Sequence, residues 1–289
     1  MISIILVNYN VSNYLFKCLD SISDSKIDKT FEIILIDNNS TEKVDIADKI
    51  DCYDISIRFF KFDNNKGFAK AVNFGIEKSR GDYVLLLNPD TQLYEATIKQ
   101  MYKFLYENND VGIVGCKVLY PDGVYQLSSK RQFPFIKYGL LRMFKIDKLF
   151  SKSKYFGQYN YTYENVNKLL SVDAVSGSCM MFKKELIDKV GKFDENFFLY
   201  FEDTDFCFRA KEYLKVVYNP ECKVIHSKGE SFNKSKQSIN YEFFKSLRVF
   251  YNKYSKEYNN FYIIKILINC ILACLVFAFS LTGNKYKYE

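Results

Sequence analysis

Three carboxylates fall within four residues, Glu202, Asp203 and Asp205, directly after the aromatic run Phe197-Phe198-Leu199-Tyr200-Phe201. Such crowding costs electrostatic repulsion unless a cation or a helix N-terminus relieves it, and apolar neighbours raise a carboxyl pKa toward the range of a general base. The structural alternative is that Asp203 caps a helix through Lys211, with Asp205 in its first turn. Another carboxylate, Asp90, closes the stretch Tyr83-Val84-Leu85-Leu86-Leu87-Asn88-Pro89-Asp90-Thr91. Pro89 cannot continue a central ladder, so Asp90 lands at a strand's carboxyl end, the edge where open α/β sheets bind ligands. Asn88-Pro89-Asp90-Thr91 could equally be a turn that caps the next helix. His226 is the single histidine and ends an apolar strand, Cys222 to Ile225. A lone histidine is more often structural than a ligand, although a strand end beside the Gly229 turn argues the other way.

The elements that must position these groups follow from apolar periodicity. Tyr83 to Leu87, introduced by Gly81-Asp82, reads as a strand buried on both faces. Ile2 to Val7, Phe31 to Ile36, Ile55 to Phe62 and Val111 to Leu119 read as further strands. Helices are expected over Ser12 to Ile22, from the Gly67 region through Ile76, over Glu95 to Tyr106 and over Lys184 to Val190, with Ser40 or Thr41 capping another. Strands alternating with helices of this length predict an α/β fold with mainly parallel pairing and right-handed crossovers. Several strands end in Asp or Asn, and short polar side chains at adjacent strand ends suit hydrogen bonding to a nucleoside and a metal. Val172 to Phe182 carries Gly177-Ser178 at its core, where a backbone or ligand can approach closely.

Composition narrows the classes. A chain of 289 residues, 48% hydrophobic and 26% charged, can bury a globular core, and its net charge of +7 suits an anionic substrate, membrane surface or nucleic acid. The first strand is followed by Asn8-Tyr9-Asn10, with no Gly-x-Gly-x-x-Gly, no P-loop and no Gly-rich basic loop, which argues against dehydrogenases, P-loop enzymes and nucleotidyltransferases. Eight scattered cysteines without a Cys-x-x-Cys pair read as reduced thiols in a cytosolic domain, and Cys270 and Cys274 as two small residues on one helix face. From Pro121 to Asn167 the pattern dissolves, predicting irregular structure or a mobile segment over the site. Lys130-Arg131-Gln132-Phe133-Pro134-Phe135 within it reads as solvated surface, and no nucleic-acid motif accompanies it.

Taken in order, Val7-Asn8-Tyr9-Asn10, Ile36-Asp37-Asn38-Asn39-Ser40, Asn65-Lys66-Gly67-Phe68-Ala69 with Asn73, Leu87-Asn88-Pro89-Asp90-Thr91, Phe198 to Asp205 and His226 to Ser231 resemble the inverting family 2 glycosyltransferases of the GT-A fold. The resemblance covers roughly residues 2–231 and is nearest the bacterial rhamnosyltransferase-like branch. It implies a nucleoside-diphosphate sugar donor, with UDP or TDP as the nucleotide and TDP-rhamnose one possibility, and a glycan or lipid-linked saccharide acceptor. It also implies that Tyr9 stacks on the base and Asp37 accepts the imide N–H, with Asn10, Asn39, Lys66, Gly67, Asn73 and Asn88 around the nucleotide and diphosphate. Asp90 and His226 would hold Mg²⁺ or Mn²⁺, Asp203 would be the base, and Glu202 and Asp205 would support it. Asn88 departs from the family's first acid, which leaves a catalytically inactive, membrane-associated scaffold as the alternative.

The chain divides by pattern into a GT-A domain over 1–232 and a C-terminal part over 233–289. Between Lys228 and Lys256, basic residues Lys228, Lys234, Lys236, Lys245, Arg248, Lys253 and Lys256 outnumber Glu230 and Glu242, among aromatics Phe243, Phe244, Phe250 and Tyr251. Phe261 to Gly283 is apolar apart from Lys265 and Asn269 and approaches membrane-spanning length, with Lys285 and Lys287 beyond. A spanning, an in-plane and an oligomer helix all fit. Membrane association at the cytoplasmic face of the plasma membrane is expected.

Overall fold

The apolar runs become strands close to their expected bounds: β1 (Ile2–Asn8), β2 (Phe31–Asp37), β3 (Ile57–Lys61) and β4 (Tyr83–Leu87), with α1 (Ser12–Ser23), α2 (Ile46–Ile50) and α3 (Phe68–Lys78) between them. This is a computed structural model, and it describes residues 1–42, 44–134, 137–138, 141, 146–227, 236–254 and 262–282. Lys228 to Ser231, Lys234, Phe135, Lys256, Phe261, Gly283, Lys285 and Lys287 lie outside the described residues. β1 pairs in parallel with both β2 and β4, Ile4 opposite Ile33 on one side and Leu85 on the other. Side chains alternate between faces along a strand. Ile5, Ile34, Ile36, Val84 and Leu86 therefore pack under α3, while Ile4, Leu6, Ile33, Leu35, Leu85 and Leu87 pack with Leu15 and Leu19 of α1 on the other face. Both faces are covered, so the strands are apolar throughout rather than alternating.

The chain continues through β5 (Thr91–Leu93), α4 (Thr97–Glu107), β6 (Val111–Leu119), β7 (Lys130–Arg131), α5 (Ile146–Leu149), β8 (Leu170–Ser171), β9 (Ala174–Val175) and β10 (Cys179–Lys183). It then forms α6 (Leu186–Val190), α7 (Glu202–Ala210), β11 (Lys215–His226), α8 (Lys236–Lys253) and α9 (Tyr262–Thr282). The sheet order is β3-β2-β1-β4-β10-β6-β11-β5, with β8 beside β11 and a separate β7-β9 ribbon. β10 runs antiparallel between β4 and β6, placing Cys179 opposite Leu87. An antiparallel strand starts where its neighbour ends. The Gly177-Ser178 turn thus sits at the carboxyl end of β4, on the same edge as Asp37, Asp90 and His226.

Several expectations are corrected. Asn88 to Thr91 does not cap a helix: Thr91 Oγ1 donates to Asn88 O at 2.6 Å, and the chain turns into β5, where Thr91 pairs with His226. Neither Ser40 nor Thr41 caps the next helix, because Asp45 does so for α2 by accepting from Ala47 N at 3.0 Å. The solvated-surface reading of Lys130 to Pro134 fails, since Lys130 is 0% and Phe133 7% exposed. Burial pulls the Lys130 ammonium down to about 8, while its Nζ sits 4.7 Å from the Tyr218 ring centroid. The eight cysteines are free thiols, and Cys270 and Cys274 are exposed.

α8 joins the same core as the sheet. Phe250 and Tyr254 pack with Phe201 and Phe206, and Ser246 Oγ donates to Leu199 O at 2.7 Å. α9 lies against α8, with Phe244 and Phe279 stacked at 5.6 Å, while Ile271 and Phe277 are exposed. Among the described residues, no helix is long and apolar enough to cross a membrane.

Candidate active site

The first strand end carries Asn8, Tyr9 and Asn10. Asn8 is buried and donates through Nδ2 to Asp37 Oδ1 at 3.1 Å and Ser40 Oγ at 3.0 Å. Ser40 Oγ also donates to Asp37 Oδ1, so the Asp37 carboxylate is 2% exposed and fixed from two sides. Asn10 and Asn39 both adopt positive φ, 57° and 65°, where asparagine is among the most tolerant side chains. Asn10 Oδ1 accepts from Thr41 N at 2.7 Å, which ties the first strand-end loop to the second. Tyr9 is half-buried beside them.

The third loop is held by a residue absent from the sequence-derived site. Asn38 is 3% exposed, accepts from Lys66 N at 2.9 Å and donates to Asn65 Oδ1 at 2.9 Å. Its adjacency to Asp37 was the available signal. Gly67, at φ 84°, starts α3 where a Cβ would meet Phe198 O at 2.9 Å, so only glycine lets the Phe198 strand of chain close over this loop. Lys66 is exposed, with its Nζ 4.3 Å from the Phe62 ring centroid. Asn73 is not brought to this edge. It lies roughly 9 Å along α3 from Gly67 by helical rise, and its amide is used on Phe193 N, Phe193 O and Glu195.

Asp90 and His226 meet across β5 and β11, His226 Nε2 lying 3.1 Å from Asp90 Oδ1. Gln126, 1% exposed, donates through Nε2 to His226 O at 2.7 Å, and this turns its Oε1 toward His226 Nδ1 at 3.3 Å. Nδ1 must then carry a hydrogen. Nε2 and Asp90 Oδ1 would oppose lone pairs unless a proton or a metal cation lies between them. The carboxylate oxygen suits Mn²⁺ or Mg²⁺, and the imidazole nitrogen beside it suits the softer Mn²⁺ better than Mg²⁺. Among the described residues no group of three or more His, Cys, Asp or Glu gathers, so a cation here would draw its other ligands from phosphate and water. Asn88 is half-buried beside Asp90, and its N–H donates to Ser178 O at 2.9 Å.

One residue along that turn, Gly177 N donates to Asp203 Oδ2 at 2.9 Å. Asp203 is 7% exposed in the first turn of α7, and its Oδ1 accepts from Thr204 N at 2.6 Å. Arg131 NH2 reaches Asp203 Oδ2 at 2.6 Å from β7. Nothing in the local pattern of Lys130-Arg131 signalled this pair. Glu202 is buried, and burial, reinforced by the Asp203 charge, pushes its carboxyl up to about 8. Asp205 is 0% exposed and turned to Arg209, Lys253 and Tyr254, between α7 and α8. The structure therefore brings Asp37, Asn88, Asp90, Asp203 and His226 to one sheet edge, while Asp205 and Asn73 spend their polar groups on packing.

The family model of glycosyl transferase family 2 matches residues 3–191. A hexosyltransferase of low-salt glycan biosynthesis, Agl10 of Haloferax volcanii, is 26% identical over 73% of this chain, which spans 61% of that relative's length. An N-acetylglucosaminyl-diphospho-decaprenol L-rhamnosyltransferase of Mycobacterium tuberculosis is 25% identical over 80% of this chain and 77% of its own. The mannosyltransferase PcManGT of Pyrobaculum calidifontis, solved with GDP-Man and Mn²⁺, shares the fold at a TM-score of 0.61 and 16% identity, over 98% of this chain and 76% of that one. TarS 1–349 of S. aureus with UDP gives 0.57 at 16% identity over 97% and 73%. These neighbours have the GT-A fold, and the mixed, mostly parallel central sheet of this chain agrees with it. With the match running through the β1–β4 edge and on to the end of α6, the chain belongs to glycosyl transferase family 2.

Proposed function

We propose that the chain is an inverting, metal-dependent glycosyltransferase that moves a sugar from a UDP- or TDP-sugar to a hydroxyl of a glycan or lipid-linked saccharide. One observation carries this: Asp203 hangs from Gly177 N, next to Ser178, whose carbonyl holds the Asn88 backbone beside the Asp90–His226 pair. A proton acceptor and a cation site thus flank one turn of chain. The nucleotide would lie along the β1–β2 edge, Tyr9 stacking on the base and the fixed Asp37 carboxylate accepting its imide N–H. Asp203 takes the proton of the acceptor hydroxyl as that oxygen attacks the anomeric carbon from the side opposite the diphosphate, and the single displacement inverts configuration. Asp90 and His226 would hold a Mn²⁺ or Mg²⁺ ion, which supplies charge neutralisation for the departing diphosphate. The diphospho-lipid in the mycobacterial relative's name and the exposed Ile271 and Phe277 on α9 support work at a bilayer surface, with α9 lying in its plane.

The test is consumption of TDP-rhamnose, UDP-glucose and GDP-mannose with Mn²⁺, beside thermal stabilisation by each. Turnover of at least one is expected, with Asp203→Asn losing roughly 10²- to 10⁴-fold while its stabilisation by nucleotide persists. Equal loss of both would reassign Asp203 to structure. Stabilisation without turnover in the unaltered chain would identify an inactive binding protein.

A further inference from the structure

Arg131, paired with Asp203 at 2.6 Å, has no part of its own in the proton transfer just described. A carboxylate offers about four acceptor sites, and those of Asp203 take Arg131 NH2 at 2.6 Å and Gly177 N at 2.9 Å on Oδ2, and Thr204 N at 2.6 Å and Thr204 Oγ1 at 3.1 Å on Oδ1. Two of these donors are backbone groups and one is a neutral hydroxyl. Arg131 alone brings charge.

The other charged and titratable groups around the pair are Glu202, Asp205 and Cys207 on α7, with Tyr159 and Lys211 near the guanidinium or the thiol. Asp205 is neutralised by Arg209 and Lys253 and cannot help. Glu202 is buried at the next position, and its Oε2 has no hydrogen-bond partner among the described residues. Without a cation, two neighbouring buried carboxyls would share a proton, and a base that holds a proton is no base. Burial works against the Arg131 charge, yet Asp203 and Tyr159 beside it raise its pKa overall. Its second contact, NH2 to Val175 O at 3.2 Å, fixes the fork against β9.

We propose that Arg131 is a positioning residue for the base: its ion pair with Asp203 Oδ2 fixes that carboxylate against the Gly177 turn and keeps it ionised beside buried Glu202. This rests on the reading of Asp203 as proton acceptor. The residue comes from β7, so the pairing of β7 with β9, Arg131 opposite Ala174, becomes a condition for an active base.

The experiment is a carbon-13 titration of aspartate carboxyl carbons in the full-length protein, with Asp203 assigned through Asp203→Asn. Arg131→Gln is expected to move the Asp203 midpoint up by about 1 to 3 pH units, and the acidic limb of kcat/KM for TDP-rhamnose with it. Arg131→Lys keeps the charge and should hold both near the unaltered protein, with a lower kcat from the lost fork. An unmoved midpoint in Arg131→Gln overturns the proposal. Should that variant not fold, Arg131→Met is read the same way, and failure of both while Arg131→Lys folds assigns Arg131 to structure and also overturns it. A raised midpoint together with undiminished turnover in Asp203→Asn overturns it through the base instead of through Arg131.

Discussion

Asp205→Ala should cost stability rather than chemistry. The Asp205 carboxylate is 0% exposed and accepts from Arg209 Nε at 3.0 Å and NH2 at 2.8 Å, Lys253 Nζ at 2.6 Å and Tyr254 OH at 2.7 Å. Arg209 lies on α7 itself, but Lys253 ends α8 and Tyr254 follows it directly, so this carboxylate bolts α8 to the helix that carries Asp203. Removing one partner of a buried ion pair costs roughly 3–5 kcal/mol, mostly from charge left without a counterpart. Arg209 would keep the carbonyls of Val190 and Lys192, and Lys253 would keep Asp194 at 2.5 Å. The loss therefore belongs near the lower figure, about 3 kcal/mol, with the Tyr254 hydroxyl deprived of its carboxylate acceptor. For a chain of this size that is a fall in Tm of roughly 6–12 °C. Thermal unfolding by circular dichroism, followed by turnover of TDP-rhamnose at a temperature where both proteins are folded, separates the roles. A fall of under about 2 °C, or lost turnover at unchanged Tm, would refute this account and return Asp205 to the chemistry.

Glu202→Gln should stabilise the protein increasingly as pH rises. The folded chain holds a proton on Glu202 up to about 8 that the unfolded chain releases near the ordinary carboxylate range, so its favourable contribution is full below that range and lost as pH climbs through about 8. The difference in unfolding free energy between variant and parent, from urea titrations, should widen on the order of 1 kcal/mol per pH unit across that window, and a constant difference would refute it. Gln126→Leu removes the acceptor that holds a hydrogen on His226 Nδ1, and manganese affinity in the presence of UDP, read by electron paramagnetic resonance, should weaken roughly 10- to 100-fold. Unchanged affinity would mean that Gln126 does not orient His226.

What the sequence reveals and conceals divides along physical lines. β1, β2, β4 and β6 were legible because a strand covered on both faces is apolar at every position, and the short polar residue that ends such a run marks the ligand edge. That rule set Asp37 at the end of β2 and Asp90 just beyond the end of β4, where the structure has them. The partnership of Asp90 with His226 follows from β11 lying between β6 and β5, a matter of sheet order that no local spacing encodes. Arg131 was misread for a related reason. Two adjacent cations look solvated until a carboxylate from a distant helix compensates one and an aromatic ring receives the other, and a two-residue ribbon such as β7 has no period to betray it. Asn73 shows the opposite error, since a motif position can hold a side chain whose hydrogen bonds belong to packing, here against Phe193 and Glu195. Periodicity reports burial against the chain's own layers. The groups that would tune a base or a cation site are placed by crossings between layers, so the chemistry proposed for this edge would depend most on Gly177, Gln126 and Arg131, residues that carry no periodic signal.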